Sequence, residues 1–411
     1  MKKQYVTAFP GRRDSYQIPL ALSAHGRLAA FATCFYEGKG VMGGVSRHFR
    51  PFARRFEGRR AVGLESAGIH CLEFTNVAAR VGQRLLQPSK VAVWEDEAFA
   101  RRAHALARMK KAGLLLYEFQ ADWAFRQPLS AGAAKILFQF HPHPDLEHPL
   151  LFADAGKYPQ FLQRIRQNTR SNLAESYRAH TREAWRHADH VMVASEFTAR
   201  SLCVAGCPRD KISVVPYGCE LAGLDVASDD PPGRPLQRPY FLYVGSGAHR
   251  KGLHHLLEAW AASRLRDSHE LVVIARVVEP ELRQALAAAR SVRHLAGVPA
   301  RELKRWFSSA RAFVMPTLSE GFGHVFLEAL ACGCPVIGTR NSMLPDFSAA
   351  QGNIRYVEPG NVDSIRTELE WVGDRRATDS FFDTAAIRNG VRGYTWGRFR
   401  DGIEKVLQRF D

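Results

Sequence analysis

The stretch Ala312-Phe313-Val314-Met315-Pro316-Thr317-Leu318-Ser319-Glu320-Gly321-Phe322-Gly323, continued by Val325-Phe326-Leu327-Glu328-Ala329-Leu330-Ala331, decides the fold. Four apolar residues read as a buried strand, the segment around Gly321-Phe322-Gly323 as a loop, and the apolar run after it as a helix. A flexible loop that opens a helix exposes unpaired backbone N–H groups, which suit a phosphate. Glu320 at the loop can reach a neutral sugar. Glu328, about two turns into the helix, can accept hydrogen bonds from a ribose diol. The competing reading is an ordinary strand-to-helix turn with a solvated carboxylate at each end.

A second strand-loop-helix segment lies upstream. Tyr240-Phe241-Leu242-Tyr243-Val244 runs into Gly245-Ser246-Gly247-Ala248-His249-Arg250-Lys251-Gly252, and a helix follows from Leu253 to Trp260. It is not a dinucleotide fingerprint, because the third glycine of that pattern falls on Arg250, and it lacks the Gly-Lys-Ser/Thr of a P-loop. Gly245 and Gly247 let backbone approach a ligand closely, and Arg250 and Lys251 can neutralise a diphosphate. A surface turn with solvated cations is the alternative.

Between and around these segments, apolar runs alternate with helical stretches, the pattern of parallel α/β architecture. The first half offers strands at Leu28–Phe35, Leu114–Phe119, Lys135–Phe140, His190–Ala194 and Lys211–Val215. The second offers Tyr240–Val244, Leu271–Val277, Ala312–Met315 and Pro335–Gly338. Asp229-Asp230-Pro231-Pro232-Gly233-Arg234-Pro235 reads as a linker. The reading is two Rossmann-like domains, residues 1–225 and 236–396, facing each other across a cleft. A last helix over 397–411 is free to pack back on the first. Ligands of open α/β sheets bind at strand carboxyl ends, hence in that cleft.

The 411 residues carry a net charge of +16. Residues 1–220 hold 32 Lys and Arg against 19 Asp and Glu, whereas residues 221–411 hold 25 against 22. The excess therefore sits in the first domain, where it would attract nucleic acid, an anionic membrane or an anionic substrate. Its densest run, Val45 to Phe56, spaces Val45, Phe49, Phe52 and Phe56 helically with Arg47, Arg50, Arg54 and Arg55 between. That run reads as a helix packing its Phe face on the sheet, or as a surface docking on anionic headgroups. Nucleic acid is not expected, since no binding module accompanies the charge. No run reaches the roughly 18 to 20 apolar residues that cross a bilayer, and Met1 to Asp14 lacks the apolar core of a secretory signal. Seven scattered cysteines fit thiols in a reducing cytoplasm.

Phe138-Gln139-Phe140-His141-Pro142-His143-Pro144-Asp145, with His148 beyond, brings histidines close together. Prolines after two of them, and the lack of a helical i, i+4 pair, argue against zinc. His141 and His143 both stand near the end of the strand expected over Lys135–Phe140, with a two-residue register left open.

Together these segments resemble the retaining glycosyltransferases of the GT-B fold, specifically the family 4 group. Glu320 and Glu328 match that family's Glu, seven residues, Glu motif, and Lys251 with Arg250 matches the cations of its Gly-rich loop. Gly43-Gly44, Ser195-Glu196-Phe197-Thr198, Val215-Pro216-Tyr217-Gly218 and Ala331-Cys332-Gly333-Cys334-Pro335 match further landmarks, in order. The resemblance implies a UDP- or GDP-sugar donor held mainly by the second domain. Glu328 would hold the ribose. Arg250, Lys251 and the amides of Gly321, Phe322 and Gly323 would face the diphosphate, with Gly245, Ser246 and Gly44 close by. Glu320 would bind the transferred sugar, His141 would lie near sugar and acceptor, and backbone near Val298 would face the base.

The implied reaction is metal-independent hexosyl transfer with retention, without a cofactor, to a glycan or lipid-linked acceptor. Surface polysaccharide or lipopolysaccharide assembly at the inner membrane face would suit the basic first domain. Three positions depart from the family: Ser246 stands where Arg is common, Ala275-Arg276 where a glycine usually follows the strand, and Asp346 where Glu is usual. A sugar-nucleotide epimerase of the same fold, or a non-catalytic partner protein, are the alternatives. The family landmarks argue against the first, and Glu320, Glu328, Arg250 and Lys251 against the second.

Overall fold

A computed structural model describes residues 2–41, 58–65, 67–167, 181–220 and 235–411. Gly44, the Phe/Arg run Val45 to Phe56 and most of the Pro-rich connector lie outside the described residues.

Two parallel sheets form the frame. The first joins β1 (Tyr5–Ala8), β2 (Leu28–Thr33), β3 (Ile69–Cys71), β4 (Gly113–Tyr117), β5 (Lys135–Gln139), β6 (His190–Val193) and β7 (Ile212–Val214) in the order β3-β2-β1-β4-β5-β6-β7. The second joins β8 (Tyr240–Val244), β9 (Glu270–Ile274), β10 (Val292–Leu295), β11 (Ala312–Met315), β12 (Val336–Gly338) and β13 (Ile354–Tyr356) in the order β10-β9-β8-β11-β12-β13. Helices cover both sheets, so the central strands are mostly apolar: every residue of β1, β4, β6 and β11 is buried, the polar ones being Thr7 and His190 apart from tyrosines.

Each strand order reverses once, between β1 and β4 in the first sheet and between β8 and β11 in the second. At such a reversal the outgoing loops diverge and leave a crevice at the strand carboxyl ends. The Gly245–Lys251 turn and the Glu320 loop leave the two strands flanking the second reversal. Phe9 to Tyr16 and Glu118 leave those flanking the first.

The structure shortens several expected strands. The run expected to continue to Phe119 stops at Tyr117, because Glu118 opens the helix Glu118–Arg126. Likewise the strand expected over Leu28–Phe35 ends at Thr33, and that over Leu271–Val277 ends at Ile274. β1, β3, β10 and β13 were not expected, being only three or four residues long.

The last helix, Trp396–Leu407, returns to the first domain. Arg27, fully buried beside β2, meets Glu404 at 2.5 and 3.1 Å and Asp411 at 2.7 Å through two guanidinium nitrogens. Gln17 accepts from Arg400 at 2.9 Å. The chain thus crosses between the domains twice, and Cys219 bridges Thr395 where the two crossings run side by side.

Candidate active site

A cleft of about 400 Å³ lies between the domains, lined from one side by Arg13, Asp14, Phe140, His141 and Tyr217 and from the other by Gly245, Ser246, Lys251, Glu320 and Glu328. On the second-domain side, the Gly245 loop ends in a 3-10 turn, His249–Lys251, closed by Gly252 at φ 69°. Glycine is required there twice over: the conformation is left-handed, and a β-carbon would stand 2.1 Å from the Pro316 carbonyl oxygen. This contact lays the cation turn against the Glu320 loop. Arg250 donates to Ser319 O at 2.6 Å and to Glu320 Oε2 at 3.2 Å, and Lys251 Nζ contacts the same carboxylate oxygen. Burial, with the Arg250 cation beside it, pulls the Lys251 amine well below the usual lysine range, while Glu147 opposes the fall. The two cations and Glu320 form one half-buried cluster at the mouth of the crevice.

Gly321 joins the two domains. Its carbonyl accepts from Ser195 Oγ and, at 3.2 Å, from Thr198 Oγ1, both in the first domain. Phe322 is buried against Tyr217, and Gly323, at φ 80°, precedes the helix His324–Ala331. Glu328 lies in that helix, its carboxyl raised by burial, and it also lines an adjoining cavity of about 270 Å³ with Cys219, Leu303, Lys304 and Phe307. Val298 sits half-buried in the loop after β10 and lines neither cavity.

On the first-domain side the two-residue register resolves. His141 lines the cleft, with Nδ1 2.5 Å from Glu118 Oε1, and Glu118 Oε2 also accepts from the amides of Phe140 and His141 at 3.1 and 3.3 Å. Burial lowers the His141 pKa against the pull of Glu118. His143 instead caps the helix Pro144–Lys157, its Nδ1 accepting from the Asp145 amide at 3.2 Å, and it lies outside the cleft.

The sequence reading missed Asp14. Asp14, Ser15 and Tyr16 are consecutive residues at φ 45°, 49° and 65°, the left-handed region that L-residues rarely occupy. Such backbone costs on the order of 1–3 kcal/mol per residue and collects at functional sites. Tyr117 and Tyr217 each donate to Asp14 Oδ2 at 2.8 Å, so two buried phenols fix the carboxylate at the cleft. Arg13 beside it stacks on Phe140 at 4.0 Å. His324, also in the cleft wall, has a buried Nε2 with no partner. Gly11-Arg12-Arg13-Asp14, a glycine and three charges in a row, was the only signal in the sequence.

The architecture is that of the GT-B glycosyltransferases, two Rossmann-like domains with a cleft at their switch points. Residues 227–386 match the model of the glycosyl transferases group 1. Sucrose-phosphate synthase from Thermosynechococcus elongatus superposes with a TM-score of 0.68 at 15% identity, over 99% of each chain. The chain is 30% identical over 142 residues to an O-antigen chain mannosyltransferase B of Escherichia coli, covering 32% of this chain and 35% of that protein. It is 25% identical over 346 residues to a GDP-mannose-dependent alpha-(1-6)-phosphatidylinositol monomannoside mannosyltransferase of Mycolicibacterium smegmatis, covering 79% and 82%. The first three curated relatives are matched over 35%, 56% and 34% of their lengths.

Proposed function

We propose that the protein transfers a hexosyl group from a nucleotide sugar to a hydroxyl of a glycan or lipid-linked acceptor, with retention of anomeric configuration. The observation that carries this reading is the Glu320 carboxylate sharing one oxygen between Arg250 and Lys251 at the cleft, with Glu328 deeper on the same helix-loop segment.

Breaking the anomeric C–O bond leaves negative charge on the departing nucleotide diphosphate and positive charge on the sugar. Arg250 and Lys251 stabilise the first in a site where preformed dipoles need little reorganisation. A diphosphate entering beside them strengthens the Lys251 charge that burial weakens. Glu328 takes the ribose diol. Glu320, freed in part from its cations, accepts from the hydroxyls of the transferred sugar. The acceptor hydroxyl attacks from the leaving-group face and its proton passes to a phosphate oxygen, so neither a carboxylate base nor a metal takes part in the chemistry. His141 is held by Glu118 with its other ring nitrogen available to sugar or acceptor.

Mannosyl transfer by the relatives named above makes GDP-mannose the first donor to test, with UDP- and ADP-sugars beside it. The acceptor fits surface-glycan assembly at the cytoplasmic membrane face. Among the described residues no helix is long and apolar enough to cross a membrane. A thermal-shift screen of nucleotide sugars, followed by assay of nucleotide release, tests the reading, since a bound donor must raise the melting temperature. Failure of every nucleotide sugar to bind or to be hydrolysed would end it.

A further inference from the structure

Away from the cleft, a second set of polar groups is buried where the domains meet. Asp154, in the first-domain helix Pro144–Lys157, is surrounded by three histidines of the second domain. His249 Nε2 lies 2.7 Å from Asp154 Oδ2, His254 Nε2 3.1 Å from the same oxygen, and His255 Nε2 2.9 Å from Oδ1. All four residues are at most 6% exposed. Rings close the cluster from outside: Tyr158 edges onto His254 at 4.7 Å and Phe161 lies on His249 at 4.7 Å.

Hydrogen bonding leaves this cluster incomplete. His249 and His254 can donate to Asp154 Oδ2 and His255 Nε2 contacts Oδ1, but the Nδ1 atoms of His254 and His255 have no hydrogen-bond partner. A buried nitrogen left so is destabilising. A divalent cation would take lone pairs from the imidazoles and share the Asp154 carboxylate with them. The ligand atoms of Asp154, His249 and His254 all fall within 4.8 Å of one another, and His255 Nε2 lies 2.9 Å from Asp154 Oδ1. The edges of a tetrahedron around zinc at its usual 2.0–2.1 Å bond lengths are about 3.3 Å, so small ring movements admit the ion.

We infer that Asp154, His249, His254 and His255 form a three-histidine, one-aspartate site for a zinc-class divalent metal that fastens the two domains together. Nitrogen-rich, four-donor, closed sites of this kind are structural and suit zinc. The metal stands apart from the reacting atoms. Its effect on the cleft runs through His249, which directly precedes Arg250 and Lys251, so the ion would pin the cation turn to the first-domain helix.

The full-length protein, with any histidine tag removed, is stripped with chelator, incubated with zinc, desalted and analysed for bound metal. About one equivalent is expected in the wild type, with a raised melting temperature, and neither in His254→Gln or Asp154→Asn. Cobalt in place of zinc should give the intense visible bands of a tetrahedral site, without the near-ultraviolet absorption of cysteine ligation. Circular dichroism establishes that the variants are folded; should they not fold, the wild-type cobalt spectrum decides. A folded wild type that retains no zinc or cobalt, or metal retained equally by the variants, overturns the site and leaves a hydrogen-bonded clamp.

Discussion

Gly321 of the second domain abuts Phe140 of the first so closely that a β-carbon at Gly321 would stand 1.9 Å from the Phe140 carbonyl oxygen. The neighbouring residues are His141 on one side and Glu320 on the other, so this contact sets the spacing of the two halves of the site. Gly321→Ala should therefore force the domains apart or twist the loop, lowering kcat/KM by about 100-fold. Near-normal turnover in the variant would show that the cleft works without this contact.

Glu320 and Glu328 should separate in kinetics. If Glu320 acts on the transferred sugar as proposed, Glu320→Gln should reduce kcat by about 100-fold or more, with modest change in donor affinity. Glu328→Gln should instead raise the donor KM about 10- to 100-fold, the worth of hydrogen bonds to a charged acceptor. Both are read from initial rates over donor concentration. Identical profiles for the two variants would contradict the division of roles.

Asp14 should matter although no motif marks it. Asp14→Asn keeps the size but weakens the charge-assisted bonds from Tyr117 and Tyr217, and should cut turnover about 10-fold or more while donor binding, followed by thermal shift, stays close to wild type. Loss of donor binding in this variant would place Asp14 with the nucleotide instead.

Acid should destabilise the protein through His190. This histidine opens β6, shares a 2.9 Å contact with Ser213 Oγ, and burial pushes its pKa down to about 4. A lowered histidine pKa means that the unfolded chain binds the proton more tightly, so stability is intact above the ordinary value of about 6.5 and falls as pH drops toward 4. The slope contributed is at most about 1.4 kcal/mol per pH unit. Urea melts at pH 7, 6 and 5 should show it, and His190→Gln should flatten the curve.

Arg27 ties the returning C-terminal helix to β2. Arg27→Met leaves Glu404 without its buried partner and should cost about 3–5 kcal/mol in denaturant melts. A smaller loss, under about 1 kcal/mol, would mean that the helix is held by its apolar face alone.

How much was legible in the chain depends on how local the cause is. The β11 strand, the Gly-Phe-Gly loop and the helix carrying Glu328 were readable, because apolar spacing and glycine act over a few residues. The Arg250-Lys251 turn was readable for the same reason. Strand ends were not: Glu118 looks like the tail of a strand, and only its bonds to the His141 ring and amides explain why the chain turns there into a helix. Short β1 and β13 are strands because neighbouring strands pair with them, which no window of their own sequence records.

The sequence by itself determined the two α/β domains and the second-domain half of the cleft, since each rests on patterns within one strand-loop-helix unit. The tertiary structure alone decided which histidine faces the cleft. It also decided that Asp14 is clamped by Tyr117 and Tyr217, 103 and 203 residues away, and that Asp154 meets His249 across 95. The physical reason is the same throughout: a buried polar group is positioned by partners that the fold brings to it, and separation along the chain carries no record of that meeting.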